Sequence, residues 1–246
     1  MSELKDVYDR LYKILGESIE PFGSVDLVDR YRKYFKPDNV RTILLAESHV
    51  FTSDIERMSE VAELSDLPGC PREYAKFVYC LAYGEEKLVE SKEKIKNSGS
   101  PQFWKVLFSC CNSIKSIDDF SPVLKKTQFD KRIENKLKTL KTLREMGVWL
   151  VDASVVALYH NGKKSPMMRD ALKASWDLYT KNIVLSSEPE NIICIGKGVA
   201  KVVERDLNKY FQNRYTVLEQ PNAFLSSSKH LENFKVYNEI CMRGHV

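Results

Sequence analysis

Thr42-Ile43-Leu44-Leu45-Ala46-Glu47-Ser48-His49 runs from an unbroken apolar stretch straight into three polar side chains. A strand that is apolar without alternation is buried on both faces, as in a parallel sheet covered by helices on each side. Three further runs read the same way: Val148 to Asp152, Asn191 to Ile195 and Tyr215 to Glu219. Helical patterns lie between them. Ser165-Pro166 opens a helix over Met167 to Leu185, a capping hydroxyl followed by a proline at the first helical position. Gly198 to Phe211 carries Val199, Val202, Val203, Leu207 and Tyr210 at helical spacing, and Ser226 to Ser228 cap a final helix with Leu231, Phe234, Tyr237 and Ile240 on one face. This alternation predicts an α/β fold, a three-layer α/β/α domain around a central four-stranded parallel sheet.

The 246 residues fit one such domain. Residues 1–40 form an N-terminal helical segment ahead of the first strand. Residues 50–147 are too long for a single crossover and read as a mostly helical insertion within the domain. Glu85 to Pro101 reads as a charged helix ending in the turn Asn97-Ser98-Gly99-Ser100-Pro101.

Composition excludes several classes. With 29% charged residues and a mean hydropathy of −0.36, no apolar run approaches the roughly 18–20 residues that span a bilayer, so no membrane partner is expected. Met1 to Arg10 has no apolar core or small-residue cleavage site, so no secretory signal is expected, and the place is the cytoplasm, or the nucleus of a eukaryote. Cys70, Cys80, Cys110, Cys111, Cys194 and Cys241 lie mostly within apolar runs and read as buried reduced thiols. No Cys-x-x-Cys or His-x-x-x-His spacing occurs and the four histidines are far apart, so neither a metal nor another cofactor is expected. Gly196-Lys197-Gly198 is too short for a Walker loop and departs from the dinucleotide fingerprint, which argues against a nucleotide cofactor.

Charge is uneven. Ser121 to Met146 holds eight basic residues against three acids, so this segment carries +5 and the rest of the chain −1 of the net +4. Ile133, Leu137, Leu140 and Arg144 recur at helical spacing, with Leu143 beside them, in an amphipathic helix whose outward face is basic. That face, with Lys136, Lys138 and Lys141, is either a solvated surface or a track for nucleic-acid phosphates.

In open α/β sheets ligands bind at the carboxyl ends of the strands. All four ends here are polar: Glu47-Ser48-His49, then Asp152 with Ser154 beyond it, Gly196-Lys197-Gly198, and Gln220-Pro221-Asn222. Singly, Glu47 and Asp152 can be helix caps and His49 a surface residue; together the four ends predict a site.

The order of these motifs resembles the uracil-DNA glycosylase superfamily between about Arg41 and Ser228. Thr42 to His49 looks like that family's strand ending in a water-activating motif. Tyr79-Cys80-Leu81-Ala82-Tyr83 is similar in character to its base-stacking aromatic segment. Gly147-Val148-Trp149-Leu150-Val151-Asp152 resembles its Gly-Val-Leu-Leu-Leu-Asn strand, Ile193 to Ala200 its glycine-containing turn, and Gln220 to Ser226 its His-Pro-Ser-Pro-Leu-Ser loop. Three positions depart. Ser48 stands for the water-orienting Asp or Asn, Gln220 for the histidine, and Asp152 for the base-reading Asn. An ionised Asp152 only accepts hydrogen bonds, so it suits an imino or amino donor and repels a carbonyl.

The resemblance implies a monomeric DNA N-glycosylase-like protein that flips a uracil-type, deaminated or otherwise modified base and hydrolyses its glycosidic bond. Glu47, or else His49, would orient or deprotonate water, Tyr83 or Phe77 would stack on the base, and Asp152 would read its edge. Ser48 lies at the base, and Gln220 and Asn222 would contact the leaving base or the DNA backbone. Lys197, Ser226, Ser227 and Ser228 would hold backbone phosphates, the serines at a helix N-terminus, and Phe224-Leu225 would either wedge the duplex or pack under the helix. The alternative is a nucleic-acid or nucleotide-binding module that keeps the fold without the chemistry. A hydrolase of small metabolites lacks a nucleophile-elbow motif.

Overall fold

The computed structural model describes residues 3–90, 98–160, 163–221 and 227–243. Helices α1 (Glu3–Leu15) and α2 (Phe22–Tyr34) precede strand β1 (Thr42–Ala46). The segment up to the next strand holds α3 (Asp54–Arg57), α4 (Pro101–Cys111) and α5 (Phe129–Glu145). Strand β2 (Val148–Asp152) leads into a small hairpin, β3 (Tyr159–His160) and β4 (Lys163–Lys164). Then come α6 (Met168–Ser175), a π-helical turn at Trp176–Thr180, α7 (Lys181–Ser186), β5 (Asn191–Ile195), α8 (Lys197–Tyr210), β6 (Tyr215–Leu218) and α9 (Ser227–Met242).

β2, β1, β5 and β6 lie side by side in that order, all parallel, with Thr42 opposite both Val148 and Asn191. The α/β/α expectation holds, and three of the four strands have the bounds read from the sequence. The fully apolar strands β1 and β2 are buried along their whole length, as strands covered on both faces must be. β6 is the edge, and Val217 on it is 38% exposed. The outer edge of β2 is closed by a side chain, since the Leu150 N–H donates to the Tyr79 hydroxyl at 2.8 Å.

The chain departs from the sequence reading in four places. The first half of the insertion, 50–90, is not helical beyond α3 and a single turn at Glu86–Leu88. Scattered turns and the isolated bridges Glu60↔Glu73 and Val61↔Val89 satisfy its backbone. The charged helix expected from Glu85 is therefore only that one turn as far as 90, and 91–97 lie outside the described residues. Pro166 precedes the first helical position instead of occupying it: α6 starts at Met168, and Ser165 Oγ accepts from the Met167 N–H at 3.3 Å.

The face of α5 is rotated from the expected one. Arg132, Ile133, Lys136, Thr139, Leu140 and Leu143 are buried, while Lys138, Lys141 and Arg144 are exposed and Leu137 is half-buried. Two cations therefore point into the protein. Glu85 accepts from Arg132 Nε at 2.8 Å and Nη2 at 2.7 Å and from Lys136 Nζ at 2.6 Å, and that ammonium also lies 4.6 Å from the centre of the Trp104 ring. Hydrophobic spacing could not reveal this, because the partner carboxylate is 47 to 51 residues away.

No helix among the described residues is long and apolar enough to cross a membrane.

Candidate functional site

β1 ends in Ala46, and the next three side chains diverge. Ser48 and His49 turn toward β2. There, with Phe77, Tyr83 and Asp152, they line one small, partly open cavity of about 40 Å³, walled also by Val50, Lys76, Val78, Ser100, Phe103 and Leu150. Five residues singled out from the sequence thus come together from three separate segments. Phe77 and Tyr83 are both buried, and the Phe77 ring meets the His49 ring edge-on at 6.3 Å. The wall formed by Tyr83 and Ser100 is fixed by a backbone contact. A Cβ on Gly99 would lie 2.7 Å from Gly84 Cα, so the two glycines let the chains touch where no other residue fits.

His49 is not a surface histidine. Its side chain is fully buried between two carboxylates, with Nε2 2.6 Å from Glu20 Oε1 and Nδ1 3.5 Å from Asp152 Oδ2. Burial alone would lower its pKa, but Glu20 and Asp152 outweigh it and push the imidazole up to about 10. Glu20 Oε1 also accepts the Ala157 N–H at 2.6 Å, so the carboxylate acts as an acceptor on both sides and Nε2 carries a proton. The Nδ1–Asp152 contact is an ion pair too long and poorly aligned for a hydrogen bond, and both atoms lack another partner among the described residues. Behind them Arg32 is buried against Asp29, which also receives the Tyr179 hydroxyl and Lys33. Burial lowers the Arg32 pKa, opposed by Tyr179 and by Asp152.

Glu47 does not line this cavity. Its Oε1 lies 3.6 Å from where a Cβ on Gly198 would stand, in the first turn of α8, so the helix-terminus role describes its position well. Tyr159 faces it, and burial followed by the Glu47 charge raises that phenol to about 12. The Gln220 side chain reaches Gly196, whose φ of +106° makes the sharp exit from β5. Glu47, Gly196 to Gly198 and Gln220 therefore occupy the crevice between the ends of β1 and β5, where the strand order reverses, one strand over from the cavity. Asp152 caps no helix; a loop and the hairpin follow it.

The expected phosphate contacts divide. Lys197 is exposed and paired with Glu219 at 2.5 Å, and Ser228 is exposed in the first turn of α9. Asn222, Ser226, the proposed Phe224-Leu225 wedge and the Ser227 side chain lie outside the described residues. Lys136 is withdrawn from any phosphate track by its burial with Glu85. Lys138 and Lys141 line a large groove of about 1130 Å³ at the opposite, amino end of the sheet, with Arg41 and Gly147. Asp38, Asp66, Asp130, Glu134 and Glu145 share that groove, so it does not present the one-signed surface a polyanion needs.

No cluster of His, Cys, Asp and Glu among the described residues has the arrangement of a metal site. The cysteines are free, and burial raises Cys70, Cys111 and Cys194 each to about 12, which makes them poor nucleophiles. Sequence reading missed Glu20, Arg32 and Tyr159; Glu20 lies 29 residues before His49, with no spacing signal to link them.

The fold and site together define a three-layer α/β/α protein with an aromatic-walled, carboxylate-bearing cavity at the carboxyl ends of its strands. No family model, characterised protein or solved structure matches the chain.

Proposed function

We propose that the cavity, whose present volume of about 40 Å³ holds only a few waters and must widen by movement of its wall side chains, receives a flipped nucleobase, and that the protein is a DNA N-glycosylase-like hydrolase. The observation that carries this reading is the convergence of Ser48, His49, Phe77, Tyr83 and Asp152 on one cavity beside the β1–β5 crevice. Aromatic walls suit a planar ring, and Asp152 Oδ2 suits an imino or amino donor on its edge. His49, protonated on Nε2 toward Glu20, offers Nδ1–H and positive charge to the electron pair that leaves with the base when the glycosidic bond breaks. With the base in the cavity, its sugar lies toward the crevice, where Glu47 takes a proton from the water that bonds to the anomeric carbon.

A second reading, a base-binding module without hydrolysis, is favoured by the engagement of Glu47 with the α8 terminus and Tyr159. Binding is tested by following the His49 ring resonances while free uracil, hypoxanthine, xanthine and guanine nucleosides are added. At least one is expected to shift them, less in Phe77→Ala. Unmoved resonances with all of them contradict both readings.

A further inference from the structure

The hairpin at the strand carboxyl rim has no part in the chemistry above, yet it is built onto the same residues. β3 and β4 pair through Tyr159↔Lys164 and His160↔Lys163. Its base is moored to the site: the Leu158 N–H donates to Ser48 Oγ at 3.3 Å, the Ser165 N–H to the Leu158 carbonyl at 3.0 Å, and Tyr159 faces Glu47. Above, the His160 ring stacks on Phe51 with centroids 4.1 Å apart and planes 11° from parallel. The β1 exit, Glu47 to Phe51, thus lines the cavity and holds the hairpin at once.

Lys163 and Lys164 are exposed, as is Arg169 just beyond, and none of the three enters an ion pair among the described residues. Glu56 pairs with Lys76 and Glu219 with Lys197, each at 2.5 Å, while Glu47, which faces Tyr159 at the base of the hairpin, has no ion pair among the described residues. Cations outside any ion pair, with Lys164 Nζ 5.8 Å from the centre of the Tyr159 ring, beside a stacked aromatic pair are what a single-stranded nucleic acid uses: charge for its phosphates and flat faces for its bases.

We infer that the β3–β4 hairpin is a backbone strap for single-stranded nucleic acid, with Lys163 and Lys164 on phosphates and the Phe51–His160 pair stacking on a base that flanks the one in the cavity. This rests on the reading of the cavity as a base site. It moves the phosphate contacts from α5, at the far end of the sheet, to the rim that bears the cavity.

The test is binding of a fluorescent single-stranded oligonucleotide by the whole protein across a salt series. Each phosphate contact contributes about 0.7 to the slope of log affinity against log salt for single strands. Lys163→Ala/Lys164→Ala is expected to flatten the slope by about 1.4 and to weaken binding about twentyfold at about 0.1 M salt. His160→Ala is expected to weaken binding with the slope unchanged, and Lys138→Ala/Lys141→Ala to leave both unchanged. A wild-type protein that binds no oligonucleotide overturns the base-site reading and the strap with it. A wild-type protein that binds, with the hairpin variant equal in affinity and slope or with both lysine pairs weakening it alike, overturns the strap alone.

Discussion

His49 Nε2 lies 2.6 Å from Glu20 Oε1, so a residue of the first strand's exit is held by a carboxylate from the segment ahead of α2. The N-terminal helices are thereby part of the site. Asp152 approaches the other nitrogen at 3.5 Å, and the ring is a buried cation between two acids.

That arrangement sets a pH dependence. The folded pKa of about 10 stands above the ordinary value of about 6.5, so the stabilisation is fully present below about pH 6.5 and is lost as pH rises toward 10. The thermal midpoint is expected to fall across that alkaline window. Glu20→Gln should abolish the slope and lower stability near neutral pH by roughly 3–5 kcal/mol, because a buried charge loses its partner. A His49 ring titrating near 6.5 in the wild type would contradict this.

The buried triad under α5 has the opposite sign. Burial raises the Glu85 pKa, but Arg132 and Lys136 outweigh it and hold the carboxyl below its usual range. Its contribution is present above the unfolded value of about 4.3 and disappears as pH falls through the depressed folded value. Glu85→Gln leaves two cations facing a neutral group, and a loss of roughly 3–5 kcal/mol is expected in urea unfolding at neutral pH. A midpoint within error of wild type would show that the triad contributes nothing.

Gly99→Ala should combine backbone strain with a steric clash. Its φ is +69°, and the added methyl would sit 2.7 Å from Gly84 Cα. Gly16→Ala is the matched control, with φ +60° and open space around it. The control should cost about 1 kcal/mol and Gly99→Ala at least 1 kcal/mol more. Equal costs would mean that the two glycine segments are not in contact in solution.

The sheet was legible because β1, β2 and β5 are short continuous apolar runs, and such runs have few other solutions. The rim was legible as well: Ser48, His49 and Asp152 follow directly from where strands end, and Phe77 and Tyr83 from the aromatic segment next in order. What failed depended on distant partners. Lys136 reads as surface lysine until Glu85, 51 residues away, is seen beneath it. Glu47 reads from the motif as the acid that orients water beside the base, yet the turn that opens α8 draws it one strand aside from the cavity. The hairpin was missed because two-residue strands carry no periodicity.

Base release tests the central claim most directly. Single- and double-stranded oligonucleotides carrying uracil, hypoxanthine, xanthine or mismatched thymine are incubated with wild type, Asp152→Asn and Glu47→Gln, and free base and abasic product are measured. The account predicts release of at least one base by the wild type, a loss of about a hundredfold or more in Asp152→Asn and in Glu47→Gln, and retained oligonucleotide binding in Glu47→Gln. No release from any substrate by a preparation that binds them, or release that survives both substitutions, would contradict it.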